Sequence, residues 1–545
     1  MNREATADLV VRAGTVHTMA AAERPVTALA VRRGEIVAVA APENAQDLLE
    51  TWSGPGTTVL DDPGLVVLPA IVDTHNHLML AARNSLGAPV SLAQDIPRFL
   101  ELIRERAAHT PSGQWIITGA DWHELHLAER RMPTAEELDR ATTDHPVLVL
   151  RGGHNGVLNS AGLRLAGIGP DTPDVQGGYI ARDAAGRPTG RVQDAALELA
   201  QKALPALPAG ALATGLAHAS TEYAAHGIGS VRDPAVTPQE WHTYVRAQAD
   251  GRLSVRSHAM ILSTPASIFA AGSMGAYLDA LEAQGITPDA GQGRLRLWGL
   301  KFILDGGVEA AALERPYADR PGYHGDLMWD RDDLAQCLAV CVRRGWPVGT
   351  HAFGDRAVAV LLDAIRDVVG QHGPIPPGAL VIEHGGLIGG DQIADAVDLG
   401  VHITVQHALS DGLGPALLAS FGPDRTAALW PLRELVDSGA WISAGTDHPI
   451  GPLDPLRCVH GMTTRHTPTG VRGPEHAIDR AEALRLYTSS GARLLGHAAT
   501  GTLVPGAPAD MVAYRADPFT CPADDLLRLA PEITAVGGEV VYRRA

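Results

Sequence analysis

The chain has 545 residues, with 44 Lys+Arg against 62 Asp+Glu and a formal net charge of −18 at pH 7. No basic stripe interrupts that acidic balance, which argues against nucleic acid as a partner. Charged residues make up 19%, below the roughly 25% of an average globular chain, with 59 Gly and 4% aromatics, as in a compact chain; the length allows three or four domains by simple division, or equally one large catalytic unit with a smaller companion.

The opening stretch, Met1 to Leu9, carries acidic residues and no apolar leader core. No later apolar run approaches the ~20 residues of a membrane span. A cytoplasmic protein with no membrane partner is therefore expected. Cys337, Cys341, Cys458 and Cys521 have no disulfide-framework spacing, and Cys337 and Cys341 lie four apart on a predicted helix, as core residues would.

From Asp8 to Ala41, short apolar runs broken by glycine and charge predict strand, turn, strand. The far end repeats the style at Gly501 to Tyr514 and Val536 to Tyr542. We expect the two ends, 1–66 and 497–545, to pair into one small β-sandwich domain beside a catalytic unit at 67–496. That unit opens with Leu68-Pro-Ala-Ile-Val-Asp-Thr-His-Asn-His-Leu78, read as a buried strand. Residues two apart in an extended chain point to the same side, so His75 and His77 aim at one point while Asn76 faces away. Two neutral imidazoles converging there suit a divalent transition metal, zinc above all.

The segment from Met79 to Gly215 is too long for one loop and is expected to form an inserted cap, about 80–215. It contains Arg151-Gly-Gly-His-Asn155 and the Gly/Asp-rich turns from Asp171 to Gly190. Alternating strand and helix patterns then resume. Apolar runs end at Asp233, Ile261, Ile303, His351, His384, Gln406 and Asp447. Counting the first, eight strands with helical spacers predict an α/β fold, a (β/α)8 TIM barrel, with ligands gathered at the C-terminal strand ends.

Lys301 lies in the fourth strand, His351 follows the fifth, His384 ends the sixth and Asp447 closes the eighth. Each alone has an ordinary explanation: a helix cap, a satisfied core histidine, an N-cap before Pro449. Together they trace one rule of position. Burial lowers a lysine's pKa and frees the neutral amine, which can add carbon dioxide to give a carbamate able to bridge two metals. An ion pair of Lys301 with Asp305 or Glu309 is the competing reading.

These residues resemble the amidohydrolase superfamily, and more closely its amidohydrolase-3 branch. The resemblance is carried by Pro69-Ala-Ile-Val-Asp-Thr-His-Asn-His77, Arg151-Gly-Gly-His-Asn-Gly-Val-Leu-Asn-Ser160, Lys301-Phe-Ile-Leu-Asp-Gly306, Thr350-His-Ala-Phe-Gly-Asp-Arg-Ala357, Ile382-Glu-His384, Ala444-Gly-Thr-Asp447 and Gly501 to Asp510. One departure is Ala70, where glycine is usual. The resemblance implies His75 and His77 on one metal, carboxylated Lys301 as a bridge, and His351 and His384 on the other. Asp447 would complete the first site and serve as catalytic base. A bound metal lowers the pKa of its water toward ~7, and Asp447 would take that proton and return it to the departing amine.

Within that branch the chain is similar to the N-substituted formamide deformylases. The implied activity is metal-dependent cleavage of a C–N bond in a small-molecule amide, with zinc as one or two ions per chain. Trp122, His123 and His154 in the cap are candidates for gripping substrate, with Asp305 and Gln406 behind the ligands. Other readings are hydrolysis of a cyclic amide or carbamate, deamination of a heterocyclic amine, or a regulatory protein that keeps the barrel without catalysis. A homodimer is the default expectation for such barrels.

Overall fold

The computed structural model describes residues 6–20, 24–173, 175, 177–205, 209–496 and 498–545. Residues 1–5 and 497, with which the two expected end segments begin, lie outside it, as do 174, 176 and 206–208 of the expected cap.

An eight-stranded sheet forms the centre, with strands β1 (Ile71–Asp73), β2 (Ile228–Val236), β3 (Arg256–Leu262), β4 (Leu295–Ile303), β5 (Val348–Ala352), β6 (Leu380–His384), β7 (His402–Val405) and β8 (Trp441–Ala444). Every neighbouring pair from β1 to β8 is parallel. The ring closes just beyond the strand ends, where Thr74 N–H donates to the Ala444 carbonyl at 3.2 Å and Asp447 N–H to the His75 carbonyl at 2.8 Å. This is the expected barrel.

Helices cover its outside, and their sequences show why they form. Arg331–Arg343 starts at Asp330, whose carboxylate accepts the Asp332 N–H at 2.9 Å, and it buries Cys337 and Cys341 on one face, four residues apart. Pro238–Ala249 begins with a Thr237/Glu240 capping box, and Glu240 also pairs with Arg83. Among the described residues no helix is long and apolar enough to cross a membrane.

Both chain ends share one seven-stranded sheet. Its order is Glu539–Arg543, Ile533–Val536, Met511–Tyr514, Thr58–Pro69, Leu9–Val16, Ala28–Arg32 and Glu35–Ala40. One apolar cluster joins Leu9, Leu29, Ile36, Val67, Met511 and Ile533, and Ala509 N–H reaches back to the Gly34 carbonyl at 2.8 Å. The sheet therefore folds over onto itself.

The first metal-strand segment differs from expectation. Val67, Leu68 and Pro69 pair with Ala513, Val512 and Met511 in the end sheet, and the barrel strand begins only at Ile71. The chain passes between sheets at Ala70, whose Cβ lies 2.6 Å from where a Cβ on Gly229 would stand. A glycine at 229 thus makes room for the alanine at 70.

The insertion after β1 carries its own five-stranded sheet, ordered Ile116–Ile117, Val147–Arg151, Asn155–Leu158, Pro188–Asp194 and Gly178–Arg182. Together with the C-terminal ends of the barrel strands it encloses a cavity of about 1130 Å³.

Candidate metal centre

His75, His77, Lys301, His351, His384 and Asp447 all line that cavity. His77 Nε2 lies 3.0 Å and His75 Nε2 3.6 Å from Asp447 Oδ1, and His384 Nδ1 lies 4.0 Å from Asp447 Oδ2. The His75 ring centroid is 4.6 Å from that of His384, which is 4.5 Å from that of His351. The barrel delivers the six side chains from five of its strands, His75 and His77 together from the end of β1 and the others from β4, β5, β6 and β8. His384 and Asp447 have φ of 76° and 56°, left-handed values that non-glycine residues adopt at a cost on the order of 1–2 kcal/mol. Gly445 is required for the approach, because a Cβ there would sit 2.6 Å from both the nitrogen and the oxygen of His75.

The donor set fits a cation. His75 Nε2, His77 Nδ1, Lys301 Nζ, His384 Nδ1 and Asp447 Oδ1 are buried without a hydrogen-bond partner. Leaving polar atoms unsatisfied costs about 1–3 kcal/mol each; a metal beside His75 Nε2, His384 Nδ1 and Asp447 Oδ1 would remove part of that cost, with His77 adding the Nε2 that faces Asp447, whereas Lys301 Nζ could contribute only after losing its proton. Burial, followed by the nearby Lys301 charge, holds His75 well below the usual imidazole range. Burial does the same for His351 and His384, aided by Lys301 at His351 and by the neighbouring histidine at His384. Neutral imidazoles are the form that ligates.

Sequence reasoning missed the groups that hold these candidate ligands. Glu383, fully buried, lies 2.6 Å from His75 Nδ1 through Oε2 and accepts from Thr404 Oγ1 at 2.6 Å and from Arg232 Nη2 at 2.6 Å. Burial alone would raise its pKa, but Arg232, Lys301 and the Thr404 hydrogen bond bring it below the usual carboxylate value. Arg232 is itself fully buried, donates to the Thr74 carbonyl at 2.8 Å and stacks 4.5 Å over Trp298. Asp73 accepts from Thr446 Oγ1 at 2.6 Å and Thr446 N–H at 3.0 Å, tying β1 to the segment that carries Asp447. Burial pushes its carboxyl up to about 7. Gln406 stands one bond further back, donating to Thr404 Oγ1 at 3.0 Å.

Lys301 is 3% exposed, and burial brings its ammonium down to about 8. Neither proposed ion-pair partner is spent on it. Asp305 accepts backbone N–H groups of Ala312, Phe353 and Gly354 at 2.9–3.0 Å. Glu309 pairs with Arg151 at 2.7 Å, and although burial would raise its carboxyl, Arg151 holds it down to about 2.

The three cap candidates differ in placement. Trp122 packs edge-on to Phe99 at 4.8 Å and donates its Nε1–H to the Leu150 carbonyl at 2.6 Å, presenting only apolar surface to the cavity. His123 accepts the Leu125 N–H through Nδ1 at 3.1 Å and sits beside Glu124 and Glu309 in a cluster that Arg151 fills with its own charge. His154 comes nearest the ligands, its ring centroid 5.5 Å from that of His351, and its Nδ1 lies 2.8 Å from Asp194. Burial alone would lower its pKa, but Asp194 raises it above the usual value.

Comparison with known proteins agrees with this architecture. An N-substituted formamide deformylase of Arthrobacter pascens is 28% identical over 98% of each chain. The putative amidohydrolase YtcJ of Bacillus subtilis (strain 168) is 26% identical over 91% of this chain and 93% of its own. The crystal structure of an uncharacterized metal-dependent hydrolase from Pyrococcus furiosus superposes with a TM-score of 0.72 at 25% identity, covering 94% of this chain and 100% of that one. The amidohydrolase family matches residues 58–542. Barrel, buried histidine–carboxylate centre and family match together place this chain in the amidohydrolase family, as a metal-dependent hydrolase of carbon–nitrogen bonds.

Proposed function

We propose that this hydrolase cleaves an N-substituted formamide, or a similar small amide, to formate and a primary amine. In this reading His75, His77 and Asp447 would hold one divalent metal, His351 and His384 would hold another where two are bound, and Lys301 as a carbamate would supply an anionic oxygen donor. The observation that carries it is the convergence of His75 Nε2, His77 Nε2 and His384 Nδ1 on the Asp447 carboxylate at the barrel mouth, with His75 Nε2, His384 Nδ1 and Asp447 Oδ1 buried and without partners. Full-length similarity to a formamide deformylase supports the choice of substrate. Zinc suits a donor set rich in imidazole.

When bound, the metal supplies Lewis acidity toward the amide oxygen and makes a water easier to deprotonate near neutral pH. The chain's own groups do the rest. The Asp447 carboxylate accepts the proton of the attacking water and returns it to the nitrogen as the C–N bond breaks. Asp194 fixes the His154 ring through Nδ1, leaving Nε2 for the substrate. Glu383 fixes His75 in the same way, so that Nε2 is the nitrogen facing Asp447.

The test is formate release from N-benzylformamide by zinc-supplied protein, with N-benzylacetamide beside it. Formate with little acetate is the expected result. No turnover of either by metal-containing protein overturns the formamide assignment.

A further inference from the structure

The cavity is far larger than the reaction needs. At about 1130 Å³ it exceeds the ~1,000 Å³ upper end of pockets that take drug-sized ligands. N-benzylformamide, with about ten non-hydrogen atoms, fills on the order of 300 Å³ at a water-like share of volume per atom. Trp115 and Leu199 of the insertion line this cavity together with Phe269, Met328 and Trp329 from the segments that follow β3 and β4.

The chamber walls are aromatic and aliphatic. Trp329 stacks on Phe302 at 4.9 Å and lies 6.4 Å from Phe269. Phe269 stays 52% exposed although it lines the cavity. A half-bare aromatic on a cavity wall leaves apolar area free to contact a ligand bound there. Among the ionic side chains that line the cavity, Arg83 pairs with Glu240 and Arg106 donates to the Leu86 carbonyl at 2.6 Å, while Glu198, Lys202, Asp330 and Asp333 add charged points along the same lining.

Resting on the formamide reading, we infer that the substrate carries a bulky apolar group on nitrogen, a long alkyl chain or fused ring system larger than benzyl, seated against Phe269 and Trp329 of the barrel and Trp115 and Leu199 of the cap. A formyl group has only hydrogen on its carbonyl carbon, so all remaining bulk must leave through the nitrogen and enter this chamber.

The experiment uses the full-length zinc-loaded protein with N-methyl-, N-butyl- and N-octylformamide, and in parallel measures binding of butylamine and octylamine by calorimetry. Full burial of each methylene is worth about three- to fourfold. With incomplete burial, kcat/KM should still rise at least tenfold from butyl to octyl, and octylamine should bind tighter than butylamine by a similar factor. Phe269→Ala and Leu199→Gln, both at partly exposed positions, should shrink the octyl-to-butyl ratio. A flat or falling series overturns the inference while leaving deformylation intact. If no formamide turns over, but octylamine binds preferentially and Phe269→Ala abolishes that preference, the apolar chamber stands and the formamide reading falls. Absence of both turnover and size-dependent binding overturns the inference as well.

Discussion

Replacing Lys301 by methionine keeps the side-chain length and removes the ammonium. Lys301 is buried at 3% exposure and titrates at about 8, against an ordinary 10.5. A lysine whose pKa falls on folding binds its proton more readily in the unfolded chain. Its burial therefore lowers stability below pH 8, and stability recovers as pH rises from about 8 to 10.5. That depression corresponds to on the order of 3 kcal/mol at pH 7, falling to about 1 kcal/mol at pH 9.5. The same shift leaves roughly a quarter of the amine neutral at pH 7.5, against about 0.1% for an ordinary lysine, which is what carbamate formation requires. Metal-free, bicarbonate-free Lys301→Met should thus be more stable than the equally stripped wild type by up to about 3 kcal/mol at pH 7 in urea unfolding. The advantage should narrow at pH 9.5. Reconstituted Lys301→Met should bind less metal and lose hydrolysis, and in Lys301→Ala, where there is space, acetate or bicarbonate should restore part of it. A methionine variant less stable than stripped wild type, or one with full metal stoichiometry, would refute the reasoning.

Four other perturbations follow from the geometry. Asp447→Asn should keep much of its metal and lose about 10²–10⁴-fold in kcat; near-normal turnover would remove Asp447 from the base role. Glu383→Gln should weaken metal binding about 10–100-fold in competition with a chelator, because His75 loses the partner that orients it, and unaltered affinity would count against that role. Gly445→Ala drives a Cβ into the His75 backbone, so thermal unfolding should report a loss of about 1–3 kcal/mol together with reduced metal content. Glu309 titrates at about 2 against an ordinary 4.5, so its stabilisation is fully present above 4.5 and is lost as pH falls through 2. Glu309→Gln should cost about 3 kcal/mol at neutral pH by leaving Arg151 short of one partner, and its stability should fall less steeply between pH 4.5 and 2 than that of the wild type.

The barrel was readable because its strands are short apolar runs, several of them with a polar group at or near the C-terminal end, and that pattern survives in one dimension. Where one apolar run crosses two sheets, as from Leu65 through Val72, nothing in the run itself marks the crossing at Ala70. The partner Met511–Tyr514 that decides it lies more than 400 residues away. Glu383 was passed over for a similar reason. It stands beside His384 inside a recognised motif, yet its contacts with His75 and Arg232 span 308 and 151 residues. The rival ion pair for Lys301 also turned on distance: only the fold shows that Glu309 is engaged by Arg151 and Asp305 by backbone amides. Trp122 and His154 had equal standing as cap residues, and their roles separate only when Leu150 takes the indole N–H and Asp194 orients the imidazole.

The most direct test is a metal titration. Chelator-treated protein is given zinc in increments while bound metal and formate release from N-benzylformamide are followed together. The account predicts activity that is absent at the start and rises in proportion to zinc until the site formed by His75, His77, Lys301, His351, His384 and Asp447 is filled. In Asp447→Asn, zinc should bind without that rise. Full activity in stripped protein, or zinc uptake in the wild type with no gain in hydrolysis of any amide, would contradict it.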